Sequence, residues 1–274
     1  GLIGGSLALA LKKSGFCNQI TASGRTEATL KKAIDLGIID SYDMDMSKAV
    51  ADADIVMVAV PLASIRSVFE KIQAGLKPTA VITDAGSAKQ CVIEDAQAVL
   101  KQNHLFVAGH PIAGTEKSGA EAAFDTLYHN RIVILTPTDN TDKSAVALVE
   151  SMWIAAGATV EKMSALHHDK VLAGTSHLPH LLAFGLVDCL NNLDDVDEIF
   201  KYAAGGFRDF TRIASSDPDM WRDICLHNKT EVLYMMDQYN KEMEKIYRAL
   251  KNDDGDALKT IFKRAKESRD NFND

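Results

Sequence analysis

What this 274-residue chain has little of narrows it first. Its four cysteines, Cys17, Cys91, Cys189 and Cys225, lie far apart and form no Cys-x-x-Cys pair. Reduced thiols in a cytoplasmic protein are therefore expected rather than a disulfide framework. No apolar run approaches the roughly 18 residues that a bilayer span needs, and the opening residues do not read as a signal peptide, so a soluble chain is expected. No basic block offsets the formal charge of −8, which argues against a nucleic-acid surface. What remains is ordinary globular composition, 46% hydrophobic and 25% charged, in a length suited to about two domains.

The chain opens on Gly1-Leu2-Ile3-Gly4-Gly5-Ser6, which runs into Leu7, Ala10 and Leu11 at helical spacing. This reads as the second half of a Gly-x-Gly-x-x-Gly turn, with Gly1 as the second glycine and Gly4 as the third. The second lets backbone approach a pyrophosphate, the third lets the helix pack closely, and the helix N-terminus faces the anion. The first strand and first glycine of the motif would precede Gly1. Strand candidates then alternate with helix candidates: 19–23, 54–60, 80–83, 105–107, 131–135 and 159–163 as strands, with helices over 29–37, 64–75, 89–102 and 143–156. Such alternation predicts a doubly wound, mostly parallel α/β sheet of Rossmann type over residues 1–164.

At the end of the 19–23 strand an NAD site usually carries an acid for the ribose 2′-hydroxyl. Here Ser23-Gly24-Arg25-Thr26 stands instead. Without the acid there is no repulsion, and a guanidinium with hydroxyls matches a 2′-phosphate, so NADP is favoured, with NAD still possible. Gly1, Leu2, Ile3 and Gly4, then Ser23, Arg25 and Thr26, then Val60 and Pro61 after the third strand, are the candidate nucleotide-binding residues.

Past residue 164 the alternation stops. Residues 165–274 predict an all-helical domain for substrate binding and dimerisation. A long apolar helix over 165–191 is interrupted at Pro179, and Asp217-Pro218 is a cap with a first-turn proline. From Trp221 to Leu250 apolar residues recur at spacings of three and four, predicting one long amphipathic helix whose stripe suits a subunit interface or an intrachain core. Asp253-Asp254-Gly255 breaks it before a final helix. His177 and His180 share a helical face, near in sequence to His167, His168 and Asp169. A metal site from these groups lacks a characteristic ligand pattern, and none is expected. A carboxylate-binding role for Arg212 and His180 fits better, because an arginine fork grips carboxylate bidentately. A structural salt bridge from Arg212 to Asp209 or Asp217 is the rival.

The chemistry centres on 107–119, VAGHPIAGTEKSG. His110 lies just past an apolar run, where the carboxyl edge of an open α/β sheet binds ligands, and it is the side chain best able to exchange a proton near neutral pH. A working histidine there is expected to titrate at about 6–7.

Five stretches in register, GLIGGSLALALK, DAGSAK, GHPIAGTEKSG, SHLPHLLAFGLVD and GGFRDFTRIASSDPDMW, resemble the prephenate/arogenate dehydrogenases of tyrosine biosynthesis, from Gly1 to at least Lys229. The resemblance implies a Rossmann domain, a helical domain that makes a homodimer, and an active site between them. It implies that His110 is the catalytic histidine at the substrate 4-hydroxyl with Ser87 as its partner, that His180 and Arg212 bind substrate, and that Trp221 walls the pocket. Gly24-Arg25 departs from the family's frequent acid.

The implied reaction removes hydride from a ring carbon bearing a hydroxyl, passes the hydroxyl proton to a base, and expels carbon dioxide from across the ring. Aromatisation drives it, so the protein supplies orientation, a base and a carboxylate clamp. Prephenate is weakly favoured over arogenate, because only Asp209 and Glu116 in these motifs could receive an amino group. Two rivals remain: a β-hydroxyacid-type dehydrogenase, for which Lys170 lacks the expected Gly-rich context, and a nucleotide-sensing module without turnover.

Overall fold

The computed structural model describes residues 1–115 and 117–271. The first part alternates as the sequence predicts. Helix α1 (Leu2–Ser14) is followed by β1 (Thr21–Ala22), α2 (Glu27–Asp35), β2 (Ser41–Tyr42), α3 (Met46–Ala49), β3 (Ile55–Val58) and α4 (Ile65–Ile72). Then come β4 (Val81–Asp84), α5 (Gln90–Val99), β5 (Phe106–Val107), β6 (Gly109–Pro111), β7 (Ile132–Leu135), α6 (Lys143–Ala155) and β8 (Thr159–Lys162). Strands β3, β4 and β5 are parallel, β1 pairs β2 in parallel, and β7 pairs β8 in parallel; only β6 runs antiparallel, against β7.

Burial follows the two-residue period of the strands. Val81 and Val107 face a core built with Leu7 and Leu11 of α1 and Val149, Met152 and Trp153 of α6. Their neighbours Ile82 and Phe106 face a second core with Ile65 and Phe69 of α4 and Val92 and Ala96 of α5. Helices thus cover both faces, the arrangement of a doubly wound sheet. The ends of α1 obey local rules: Gly15 closes it in the left-handed conformation at φ 69°, with Lys12 and Lys13 in the last turn.

The helical part holds α7 (Ala165–Leu172), a π turn (Ala173–His177), α8 (Leu178–Asn191), α9 (Val196–Lys201), α10 (Gly205–Thr211), α11 (Pro218–His227), α12 (Lys229–Lys251) and α13 (Gly255–Asp270). Two sequence expectations need correction. The break in the 165–191 helix falls before Pro179, as the π turn, while Pro179 itself sits in the first turn of α8 where its missing N–H costs nothing. The stripe from Trp221 to Leu250 is carried by two helices, not one, because α11 ends at Asn228, whose side chain bonds elsewhere in the fold. The Asp217 cap forms as expected, its carboxylate accepting from the amides of Asp219 and Met220. By compactness residues 1–228 form one unit and residues 229–274 another. Strand β2, α3 and β6 carry too few residues to show a period and were not foreseen.

Candidate active site

The nucleotide side of the site starts at α1. Gly1 caps it without a side-chain bond and the first turn carries no acid, so the N–H groups and positive end of the helix suit an anion. A Cβ at Gly1 would meet nothing within 4 Å, whereas one at Gly4 would lie 3.1 Å from the Cβ of Ala59. Gly4 sits where the helix meets the end of β3. Leu2 is buried and the Ile3 carbonyl accepts from the Tyr128 hydroxyl at 2.6 Å, which anchors the turn. Beyond β1, the Ser23 hydroxyl is buried with no partner, and Arg25 is exposed. Thr26 starts α2, its hydroxyl 2.8 Å from that of Thr29. Val60 packs on the second core, and Pro61 leads the short 3-10 turn Leu62–Ser64, against which α11 packs. An uncapped helix end, an orphaned buried hydroxyl and an exposed guanidinium form a donor set that fits a dinucleotide.

The reacting side is built around His110. It lies within β6, not in a loop past the sheet, and the antiparallel pairing with Ile134 of β7 fixes its backbone. Its Nδ1 is 2.8 Å from Nε2 of His168 on α7, and the two rings meet edge to face at 5.1 Å. Nε2 of His110 has no hydrogen-bond partner among the described residues, and the ring stays partly exposed. Nδ1 of His168 is 2.7 Å from Oδ1 of Asp169. That carboxylate in turn accepts from the amides of Lys89, at 2.8 Å, and Gln90, at 3.0 Å, at the start of α5.

Beneath this chain Lys89 is fully buried with Asp84, their side chains paired, and the ammonium also donates to the Gly109 carbonyl at 2.7 Å. Asp84 accepts from the amides of Gly86, at 2.7 Å, and Gly109, at 3.1 Å. A Cβ on Gly86 would fall 2.9 Å from that carboxylate, so the turn into Ser87 needs glycine. Asp84 thus ties the Ser87 turn to the strand that carries His110. A buried pair with each side chain also bonded to backbone is costly to break from one side, which makes this a rigid mount.

Electrostatics around His110 correct one expectation. Burial, then the neighbouring His168, Lys89 and His177, push its pKa well below 6.5, so the value of about 6–7 expected from an ordinary histidine does not hold. Burial also lowers His168, opposed by its bond to Asp169. Burial alone would raise Asp169, but bonds from His168 and the two amides hold it below the usual carboxylate value.

The far wall is helical. His180, in the first turn of α8, stacks on Trp221 of α11 with centroids 3.5 Å apart and a tilt of 20°. Its Nδ1 lies 2.8 Å from the Ser176 carbonyl, so that nitrogen carries the proton. His177 is buried behind, its pKa pushed down by burial to about 4. Asn228 donates to Nδ1 of His177 at 3.1 Å and to the Asp169 carbonyl at 2.8 Å, linking this wall to the His110 chain. Arg212 is exposed at the start of the 3-10 turn Arg212–Ser215, which packs on α8. Of its two rival acids, Asp217 is occupied as a helix cap, and Asp209 is exposed on α10. Glu116 lies outside the described residues. Among the described residues no three His, Cys, Asp or Glu side chains come together as a metal site.

Sequence reasoning missed Asp84, Lys89 and Asn228, and read His168 and Asp169 only as weak metal candidates. The available signal was buried charge: Asp84 and Lys89 flank the DAGS turn, and neither type is buried without a partner.

Comparison with known proteins bears on this geometry. A family model described as prephenate dehydrogenase, nucleotide-binding domain, matches residues 7–162, and one described as prephenate dehydrogenase, dimerization domain, matches residues 164–264. Prephenate dehydrogenase of Bacillus subtilis is 40% identical over 272 residues, covering 98% of this chain and 73% of that protein. Cyclohexadienyl dehydrogenase of Zymomonas mobilis is 38% identical over 98% of this chain and 92% of its own length. The crystal structure of prephenate dehydrogenase from Aquifex aeolicus, in complex with hydroxyphenyl propionate and NAD+, superposes with a TM-score of 0.92 at 41% identity, covering 98% of this chain and 94% of that one.

Proposed function

The chain belongs to the prephenate dehydrogenase family, and from that premise we propose how its own residues convert prephenate to 4-hydroxyphenylpyruvate and carbon dioxide. It is a nicotinamide-dependent oxidoreductase of tyrosine biosynthesis. The observation that carries the residue assignment is His110 Nε2, which has no hydrogen-bond partner among the described residues while Nδ1 is held by His168. That is the posture of a base waiting for a hydroxyl proton.

When bound, the nicotinamide supplies the hydride acceptor. His110 takes the proton of the ring hydroxyl as the carbon–oxygen bond becomes a carbonyl. The carbon–carboxylate bond then breaks, its electron pair enters the ring, and carbon dioxide departs. His110 returns the proton to the phenolate oxygen, so no net proton is released. Ser87, on the turn mounted by Asp84, orients the hydroxyl or His110. Arg212 and His180 hold substrate carboxylate, with Trp221 as an apolar wall. The clamp must not grip the departing carboxylate, because holding its charge would slow the loss of carbon dioxide.

Gly1, Leu2, Ile3 and Gly4 receive the pyrophosphate, Ser23, Arg25 and Thr26 the adenine ribose, and Val60 and Pro61 line the same crevice. Gly24-Arg25 in place of an acid supports NADP over NAD. We put the domain boundary near residue 164, because β8 ends at Lys162 and every later element is helical. Assembly as a homodimer through the helical domain is supported by apolar residues left uncovered on α12 and α13: Tyr247 and Leu250 are each 59% exposed and Phe262 56%. Among the described residues no helix is long and apolar enough to cross a membrane, and four free thiols support a cytoplasmic setting.

Steady-state rates with prephenate and arogenate, each with NADP and NAD, test the reading. The highest kcat/KM is expected for prephenate with NADP. A preference for arogenate overturns the substrate, and a preference for NAD overturns the nucleotide. Light scattering at micromolar concentration should show twice the 29.8 kDa chain mass.

A further inference from the structure

We propose that His168 and Asp169 are positioning residues that set the tautomer of His110 and carry part of the charge when it takes a proton. The inference rests on the proposed role of His110 as base.

The argument is one of donors and acceptors. Both oxygens of Asp169 are engaged as acceptors: Oδ1 by the Lys89 amide and by His168, Oδ2 by the Gln90 amide. An ionised carboxylate can only accept, so the His168 nitrogen that faces it, Nδ1, must carry the hydrogen. Neutral His168 then has a lone pair on Nε2, 2.8 Å from Nδ1 of His110. That contact is a hydrogen bond only if His110 donates from Nδ1, and a neutral imidazole with hydrogen on Nδ1 has its lone pair on Nε2. Two backbone amides at the start of α5 thereby dictate, through Asp169 and His168, which nitrogen of His110 is basic.

The same chain answers a difficulty of charge. The groups facing His110 are mostly hostile to a second positive charge: buried Lys89, on the neighbouring strand-to-helix turn, and His177, behind the π turn, both disfavour it. Asp84 is the partner of Lys89. Asp169 is the acid joined to His110 through a hydrogen-bonded side chain. When Nε2 takes the hydroxyl proton, the Nδ1 proton moves to Nε2 of His168, where the positive charge lies against the Asp169 carboxylate. When the phenolate oxygen reclaims its proton the shift reverses, and atoms and charge balance without any outside acid. His168 does not touch the reacting atoms in this scheme; it acts through His110. His167, adjacent in sequence, is exposed and takes no part.

The test compares His168→Phe, His168→Gln and His110→Asn by kcat, KM, nucleotide binding and the pH profile of kcat/KM. His168→Phe should lower kcat by about 10²- to 10⁴-fold with KM and nucleotide binding within about twofold, because a base in the wrong tautomer loses that much. His168→Gln can still accept from His110 Nδ1 through its amide oxygen, so the tautomer survives while proton sharing does not. It should recover at least about tenfold over Phe and should carry an acid limb displaced from that of wild type. Asp169→Asn keeps its amide oxygen towards the Lys89 amide and His168, so both tautomers survive, but it removes the charge that holds protonated His168 and should match Gln in kcat. If it fails to fold, the Phe and Gln pair still decides. Should His110→Asn be inactive while His168→Phe turns over within threefold of wild type, the relay is wrong and the base stands. An unchanged acid limb in His168→Gln also overturns the relay. If His110→Asn itself turns over normally, the base assignment falls, and the relay falls with it.

Discussion

The two halves of the site are prepared to very different degrees. Beside His110 the side chains of His168, Asp169, Asp84, Lys89 and Asn228 form one bonded chain inside the protein. At the nucleotide cradle groups stand open: among the described residues the Ser23 hydroxyl has no partner, and Arg25 is exposed. A base must be in the right tautomer and direction before the substrate arrives, since misplacement costs rate directly. A cofactor site can leave donors unmet, because the ligand brings the acceptors and its binding supplies the free energy that orders them. Activity should therefore be most fragile on the His110 side, and specificity most adjustable on the cradle side.

The largest expected effect breaks the prepared side. His110→Asn keeps a polar side chain without the base, so turnover should fall by about 10²- to 10⁴-fold while NADP binding barely changes. Turnover within tenfold of wild type would move the role of base to another group, His180 being next in line.

Arg212→Ala probes the substrate wall that lies between the extremes. Loss of a charge-assisted bond to carboxylate should raise KM for prephenate by about 10- to 150-fold and leave nucleotide affinity alone. A variant that is less stable but kinetically normal would show that Arg212 serves a structural ion pair.

Arg25→Ala works on the open cradle, and its effect should be smaller and selective. An exposed guanidinium against a phosphate is worth up to about 1 kcal/mol, so NADP affinity should weaken about fivefold while NAD is nearly unaffected. Equal losses for both nucleotides would refute a 2′-phosphate contact.

The smallest effect is a displacement of the pH profile. The base must be neutral, and burial with positive neighbours depresses the His110 pKa below 6.5. At pH 6.5 kcat/KM should still lie near its plateau, with the acid limb lower. Folding stability carries the same sign: unfolded histidine takes its proton at about 6.5 and the buried one resists, so stability contributed by neutral His110 is lost as pH drops below that value. A limb centred at 6.5 or above would mean that the His110 environment is wetter than its neighbours imply.

How much of this was readable beforehand depended on whether the cause was local. The glycine turn, the strand and helix alternation and the Asp217 cap are local rules of backbone and burial period, and they appear close to where the residues predict them. The downward shift of His110 could not be read from an isolated histidine, because it comes from burial first and then from His168 and Lys89, which the fold brings to it. The His168 contact with His110 was not foreseen, because the two residues lie 58 positions apart in the chain.

The sequence by itself thus determined the α/β alternation, the helical second part and the family. A period of two or 3.6 and a short glycine motif are properties of adjacent residues, and burying their apolar face leaves little choice of outcome. Tertiary structure alone decided which nitrogen of His110 faces His168. That depends on a side chain 58 residues away, delivered by the packing of α7 against α5, and on two α5 amides that hold Asp169 as an ion. Hydrogen bonds of this kind have no periodicity along the chain, and only the packed fold brings their donors and acceptors within reach.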